Sequence, residues 1–444
     1  MDPVIVDSGA TPVTNFLQSI NAKPKFDARY RSSIYESAFK ENAITPSTRI
    51  VRFKLDALKG GSRYDISDVI VEGRIRLCKN DLTPLDDNEA VSVVNNVLFS
   101  AFKSIRCYVN SKLVLDLSSN QLYQYWMTKL NYYRNAQDTF LSTQGFVDDS
   151  VDAYEDPNNN IGWQKRRNFF GKMVGEAFKY YAKPTVFVGQ LLNYLPDIPL
   201  LPAATVYYEF EIASNESFLL CSDNIDARFV LDDLSLKVRK NFYWDSYYNG
   251  LLNTIADHKL TKHFRKMAFT SFNIPAGSNN FFWNLPALGQ SISKLFIFLQ
   301  NSKNTVGRKS KNLFYFPVNF NQSSITKLEL LLNSQPLDGL SGNNDDNKLN
   351  YLKIFKFLGQ MQGENCSSIT YDEYISSSYF HFYDYSASLT ETPLYMSPLL
   401  RTGSSRIEIT FSENLDYDLT ATIFVEIPSS ICIDKSGIVE VGVE

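Results

Sequence analysis

Histidine is the scarcest residue in this 444-residue chain, with three: His258, His263 and His381. That shortage excludes much of enzyme chemistry. A cupin-type centre gathers several histidines and a carboxylate around one ion. His258 and His263 are five apart, which fits neither one helix face nor one strand face, and His381 stands alone in an aromatic stretch. No metal site is expected. GxSxG, HExxH, GxxxxGKS/T and GxGxxG are all missing, and no Ser, His and Asp spacing nominates a triad. The acidic pairs in "LDDNE" (85–89) and "LDDLS" (231–235) read as polar loops, since acid–base work needs a shared cleft. No catalytic, cofactor-binding or metal-ligating residue is nominated, and no enzyme is expected.

Cysteine is also sparse. Cys78, Cys107, Cys221, Cys366 and Cys432 are scattered, odd in number and without a CxxC pair. That argues against a disulfide framework or zinc site and fits free thiols in a reducing compartment. No strong charge bias exists: 44 Lys and Arg against 48 Asp and Glu leave a formal charge of −4. A surface built to bind nucleic acid throughout would be basic. Long apolar runs are missing too. "LLNYLPDIPLLP" (191–202) is broken by prolines and too short to span a bilayer. The first residues lack a basic segment followed by an apolar one, so no signal peptide is expected. A soluble, intracellular chain without a transmembrane segment is the expectation.

What is abundant is aromatic: 32 Phe and 26 Tyr, a composition that favours strands. The length predicts two or three domains. Residues 1–46 show no clean period and read equally as an arm that orders on a neighbour or as a free terminus. From residue 49, side chains alternate. "RIVRFKL" and "DVIVEGRIRL" (68–77) place apolar residues on one parity, and so do "TVFVG" (185–189), "TVYYEFEIA" (205–213) and "DLSLKVRK" (233–240). "SIRCYVNSKLVLDL" (104–117) reads as a hairpin turning at Asn110 and Ser111. In "NQLYQYWMTKLNYY" (120–133), Leu122, Trp126, Leu130 and Tyr133 mark one helix face. "DDSVDAYEDPNNNIG" (148–162) reads as an exposed loop.

After a junction at 241–258 the layout repeats. "KMAFTSFNIPAG" (266–277), "SKLFIFLQ" (293–300), "ITKLELLLN" (325–333) and "YFHFYDYS" (379–386) read as strands. "NKLNYLKIFKFLG" (347–359) reads as a helix with Leu349, Leu352, Phe355 and Leu358 inward. "RIEITFSENLDYDLTATIFVEI" (406–427) reads as a closing hairpin around Asn414 to Asp418, with Ile409, Phe411, Ile423 and Val425 in the core. The two blocks match in layout, with no residue-level repeat between them. Many short strands with polar turns indicate sandwiches or barrels.

Two features could recognise a partner. "WQKRRNFFGK" (163–172) combines aromatics with Lys165, Arg166 and Arg167, the composition of a nucleic-acid patch, although a solvated loop or a subunit contact has the same composition. Trp126, Trp163, Trp244 and Trp283 are candidates for stacking on sugars in a two-domain lectin-like module, though Trp126 fits a core helix face better.

The order and spacing of several segments resemble the double jelly-roll major capsid proteins of Polinton-like and adintovirus-type DNA viruses. In the first block the resemblance rests on "ISDVIVEGRIRL" and "VVNNVLFSAFKSIRCYVNSKLV", with Asn95, Asn96, Leu98, Phe102 and Asn110 at the family's positions. In the second it rests on "FNIPAGSNN", "LPALGQSISKLFIFLQNS", "ITKLELLLNSQPL", "YISSSYFHFYDYS" and residues 403–439. Phe99 stands where the family often has His, "YDYS" replaces a more usual Phe-Asp-Leu-Thr, and Gly437 stands where Arg commonly follows Ile433-Asp434-Lys435.

The resemblance implies an all-β chain of two tandem eight-stranded jelly rolls with short helices and long loops. It implies a homotrimeric, pseudo-hexagonal, hexon-like capsomer in an icosahedral virion capsid, touching neighbouring capsomers, pentons and other minor capsid proteins. The expected division is an arm at 1–46, a first jelly roll at 47–240, the junction at 241–258, a second jelly roll at 259–430 and a tail at 431–444. The loops 134–162 and 338–347 would form towers, rims or trimer locks. A lectin-like binding module and a minor capsid protein of the same virus remain as alternatives.

Overall fold

The computed structural model describes residues 30–58, 60–132, 134–151, 153–154, 156–192, 195, 204–257, 260–285, 294–302, 308–316, 319–320, 323–336, 347–357, 367, 369–384, 405–433 and 439–443. Tyr133, His258, Leu358, Cys366 and the loop expected at 338–347 lie outside them, apart from Asn347, which opens a helix.

Two sheets form the first half. One runs in the order β1 (Tyr30–Ser37), β13 (Arg228–Tyr243), β4 (Ser62–Cys78), β10 (Thr185–Gln190). The other runs β2 (Phe39–Lys40), β3 (Ile50–Leu55), β11 (Val206–Ile212), β6 (Phe102–Val109), β7 (Lys112–Leu117). Two short pairs flank them: β5 (Ser92–Val93) with β12 (Leu219–Leu220), and β8 (Gly171–Val174) with β9 (Ala177–Tyr180).

The second half repeats the plan. One sheet is β14 (Leu260–Ile274), β22 (Leu419–Ile433), β16 (Lys294–Asn301), β20 (Phe380–Asp384), with β23 (Val439–Val443) on β22. Its partner is β15 (Asn280–Asn284), β21 (Ser405–Phe411), β18 (Ser323–Leu332), β17 (Asn319–Phe320), with β19 (Gln335–Pro336) also on β18.

Chain order makes the repeat visible. In the first half the main strands are β1, β3, β4, β6, β7, β10, β11 and β13; in the second they are β14, β15, β16, β18, β19, β20, β21 and β22. In both halves one sheet reads first, eighth, third, sixth, and the other second, seventh, fourth, fifth. That is the jelly-roll permutation, two antiparallel sheets wound as paired Greek keys. The fold is two jelly rolls in tandem.

Both sandwiches close over apolar parities. Val51, Phe53 and Leu55 on β3 are buried, and so are Val69, Val71, Ile75 and Leu77 on β4. In the second sandwich Ile407, Ile409, Phe411, Ile423 and Val425 are all at most 3% exposed. Burying each such side chain stabilises by about 1.5–3 kcal/mol.

The permutation corrects three expectations. Consecutive strands in a jelly roll mostly cross between sheets, and only the fourth and fifth form a hairpin within one. β21 and β22 are the seventh and eighth, so 406–427 is a crossing between sheets. β21 pairs β15 and β18, whereas β22 pairs β14 and β16. Second, part of the expected arm is sheet. β1 is the first strand of the jelly roll, with Ile34 opposite Lys240. It lies on an edge with both parities mostly exposed, which erases the periodic signal. Polar contacts hold it: Lys240 Nζ lies 2.6 Å from Glu36, and the Tyr64 hydroxyl donates to Glu36 at 2.9 Å. Third, the expected tail contributes the end of β22 and all of β23, with Ser429 opposite Val443.

The within-sheet hairpins also revise the reading of the two blocks as lacking any residue-level repeat. Asn110 and Ser111, between β6 and β7, have φ of 47° and 64°. Asn333 and Ser334, between β18 and β19, have φ of 50° and 65°. Both fourth-to-fifth turns are Asn-Ser in the doubly left-handed geometry that suits a two-residue hairpin, and Asn tolerates it better than most residues.

Nine helical segments complete the described chain: α1 (Val97–Ser100), α2 (Asn120–Asn131), α3 (Arg134–Gln137), a 3-10 turn (Phe140–Gln144), α4 (Ile161–Asn168), α5 (Asn215–Phe218), α6 (Asp245–Asp257), α7 (Asn347–Phe357) and α8 (Tyr371–Ser376). α6 occupies most of the expected junction. α7 turns a different face inward from the one expected. Asn350, Lys353 and Ile354 are buried, whereas Leu349 and Leu352 are 44% and 50% exposed. The Tyr351 ring fixes that rotation by packing on Tyr371 and Tyr374 of α8 while its hydroxyl donates to the Ile369 carbonyl.

Candidate functional site

The site with the densest chemistry is the seam between the jelly rolls, built around α2. Every residue from Asn120 to Leu130 is buried, so the helix meets solvent only at its last residue, Asn131. Its aromatic residues meet the second jelly roll directly. The Tyr125 ring stacks on Phe314 at 4.0 Å between centroids and 3° between planes. Trp126 stacks on Phe298 at 4.9 Å and touches Phe316 and Phe380. Geometry of this kind adds about 0.5–1.5 kcal/mol per ring pair beyond area burial.

A polar half lies beside the rings. Lys129 Nζ contacts Glu373 of α8, the Asp148 carboxylate at 3.4 Å and the Tyr125 hydroxyl at 3.3 Å. Burial pulls the ammonium towards neutrality, but Asp148 and the surrounding acidic groups outweigh it and hold it well above the usual lysine range. Gln137 and Asn95 donate to Asp148 from the other side. The Ser367 hydroxyl donates to the Lys129 carbonyl at 2.9 Å.

A second buried pair sits alongside. Arg166 contacts Asp149 with both side chains at most 1% exposed, and its remaining donors reach the carbonyls of Val93 and Val147. Asp149 also accepts from Asn160 at 2.7 Å and, across the seam, from Asn312 at 3.0 Å. Further along, the Lys309 ammonium donates to the Ala227 carbonyl at 2.8 Å, and Ser310 bonds to Asp223. A cleft of about 800 Å³ opens over the acidic side, lined among others by Asp148, Asp149, Glu373, Lys165 and Arg134.

The basic stretch 163–172 is corrected here. Trp163 and Arg166 are core, and the Arg167 guanidinium lies 3.8 Å from the Phe178 ring centroid and donates to the Glu89 carbonyl. Of the three cations in this candidate nucleic-acid patch, Lys165 alone is exposed. The reason is the ion pair: the loop expected to be exposed carries Asp149, Tyr154 and Asn160 inward, and Asp149 captures Arg166. Sequence reasoning passed over Lys129, Asp148, Asp149 and Glu373, since a lone lysine on a helix and acids in polar segments ordinarily face water.

The tryptophans divide. Trp126 and Trp163 are buried, Trp283 stacks on Phe272 at 4.5 Å, and Trp244 is 51% exposed. His263 lies on β14 opposite Ser430. His381 is buried against the Tyr379 hydroxyl at 2.5 Å, and desolvation, with a smaller push from Lys353, lowers its pKa to about 3. Burial pushes the Cys107 thiol up to about 12 and Cys221 up to about 11. Cys78 is free and buried, and Cys432 is free and half-buried. Among the described residues, no group of three or more His, Cys, Asp and Glu is placed to hold a metal ion, and no helix is long and apolar enough to cross a membrane.

No protein-family model matches the chain, and no curated protein matches it by sequence. Solved structures do match by fold. A Sputnik virophage structure aligns with TM-score 0.63 at 13% identity, covering 100% of this chain and 93% of that one. The capsid of virus PBCV-1 aligns at 0.58 and 10% identity, covering 94% and 98%. The mavirus major capsid protein aligns at 0.54 and 11% identity, covering 100% and 96%. At these identities the likeness is one of fold, and the fold shared along nearly the full length is the double jelly roll.

Proposed function

We propose that the chain is a major capsid protein of a DNA virus, of the Polinton-like and adintovirus type, and that it acts by assembly. Three copies form a trimer whose six barrels give a pseudo-hexagonal, hexon-like outline, and the trimers tile an icosahedral shell alongside pentons and other minor capsid proteins. The observation that carries the reading is the repeated strand permutation: two equivalent jelly rolls, joined through a shared aromatic seam, present two similar outlines per chain. Structures that share this fold over nearly their whole length are described as viral capsids.

The division at residues 241–258 belongs to this proposal, as do a virion location and a terminal arm confined to residues before β1. Apolar side chains are exposed for subunit contact: Ile34 and Tyr35 on the β1 edge, Phe39 on the β2 edge, and Met173 and Val174 at the β8–β9 tip. Obligate subunit faces bury such residues. A lectin-like reading loses two of its four stacking candidates, because Trp126 and Trp163 are core. Light scattering and negative-stain microscopy of the purified chain test the proposal. Trimers with six lobes are expected, and a monodisperse monomer at assembly concentrations overturns it.

A further inference from the structure

Lys129 has no exposed side-chain surface, Glu373 has 8% and Asp148 has 20%. One amine thus meets two carboxyl groups, 5.5 Å from the Tyr125 ring centroid. The acids come from different jelly rolls, Asp148 from the segment after α3 and Glu373 from α8. As a plain ion pair this arrangement stabilises little, because dehydrating the charges offsets their attraction. One amine also cannot neutralise two carboxylates. The same parts do satisfy a condensation: a dry nucleophile, a carboxyl carbon beside it, and a second carboxylate on the same nitrogen to move protons.

A further group points the same way. The Tyr154 hydroxyl is buried without a hydrogen-bond partner among the described residues, yet it lies close enough to Lys129 and Glu373 for their charges to act on it. An unpaired buried donor costs stability unless something uses it.

We propose that Lys129 and Glu373 condense into an isopeptide bond that joins the two jelly rolls covalently, with Asp148 relaying the protons. Asp148 carries one ammonium proton to the Glu373 carboxylate, which leaves an amine facing a carboxylic acid. The nitrogen lone pair attacks Cδ, a C–N bond forms, and the Tyr154 hydroxyl donates to the resulting oxyanion. Asp148 then carries a second nitrogen proton to the hydroxyl, the C–O bond breaks, and water leaves through the cleft that Asp148 and Glu373 line. Ammonium and carboxylate become amide and water. Asp148 ends as it began, and no oxidant or cofactor takes part.

Intact mass spectrometry of the folded full-length chain tests the proposal. A mass lower by one water is expected, together with a branched tryptic peptide joining the segments that carry residues 129 and 373. Lys129→Arg, which keeps the charge, and Asp148→Asn should both show full mass. If Lys129→Arg does not fold, a native circular dichroism spectrum and full mass for Asp148→Asn serve instead. Wild-type protein at full mass after prolonged incubation means an ion pair only and overturns the bond. A water loss that persists in Lys129→Arg, or a branch at other residues, overturns it as well. Oligomeric state enters none of these readouts, so the result stands apart from the capsid proposal.

Discussion

The two jelly rolls share a permutation but differ in what covers them. The first keeps exposed apolar residues on its sheet faces and edges, such as Ile34 and Val186. In the second, β22 is buried on both parities, so that Thr422, Phe424 and Glu426 are as enclosed as Ile423 and Val425. The first jelly roll supplies the seam with a helix, α2, and the second with ringed strands. Equal topology therefore does not mean equal exposure: the eighth strand of the first jelly roll, β13, mixes buried and half-buried positions, whereas its counterpart β22 is enclosed along nearly its whole length.

The comparison breaks most sharply at the seventh strands. Phe210 on β11 and Phe411 on β21 are 0% and 3% exposed, and each lies on the seventh strand of its jelly roll. A buried, unpaired carboxylate costs several kcal/mol or more, comparable with the whole stability of a domain. Phe210→Asp and Phe411→Asp are each expected to leave no soluble native protein, as judged by soluble yield and circular dichroism. Native protein from either variant would show that its strand faces the other way. Trp126→Ala comes next. It empties the seam without charging it and is expected to cost about 3–5 kcal/mol. In calorimetry the two jelly rolls should then unfold in separate transitions, whereas a single sharp transition would show that the rings do not couple them.

Much of this was legible where one strand face meets water. "RIVRFKL" alternates because β3 has a solvent side, and its burial follows the predicted parity residue by residue. Legibility fails at the two extremes. β1 is exposed on both parities and leaves no period, so it read as an arm. β22 is buried on both, so its apolar half alone was read as core. The crossing at Asn414 to Asp418 looked like a hairpin because a turn between sheets and a turn within one use the same polar residues. The seam was least legible: whether Arg166 faces phosphate or Asp149 depends on a loop fold that spacing does not encode. The Asn-Ser turns were present in the sequence, but only the shared topology makes them equivalent.

Histidine offers a milder probe, since all three lie after residue 257 and the first jelly roll has none. The folded pKa of His381, about 3, lies below the ordinary value of 6.5. Between those values the unfolded chain binds the extra proton and the folded chain does not. Stability is therefore complete above pH 6.5 and falls as pH drops through the window, by about 1.4 kcal/mol per pH unit. Denaturant midpoints at pH 7 and pH 5.5 should show the loss, and His381→Gln should reduce it. In Trp126→Ala the acid sensitivity should belong to the second transition alone.

The smallest expected effect is the most direct test of equivalence. Asn110 and Asn333 both hold positive φ at the first turn position. A β-branched residue there pays the left-handed penalty of about 1–2 kcal/mol, whereas Gly adopts the conformation freely. Asn110→Val and Asn333→Val are each expected to lower stability by at least that amount in urea unfolding. The Asn110 side chain accepts from the Thr205 amide at 2.8 Å, tying the turn to the start of β11, so Asn110→Gly should keep the backbone conformation yet lose about 1 kcal/mol that comes from this bond. An Asn110→Gly variant as stable as wild type would leave backbone conformation as the reason for Asn at this corner.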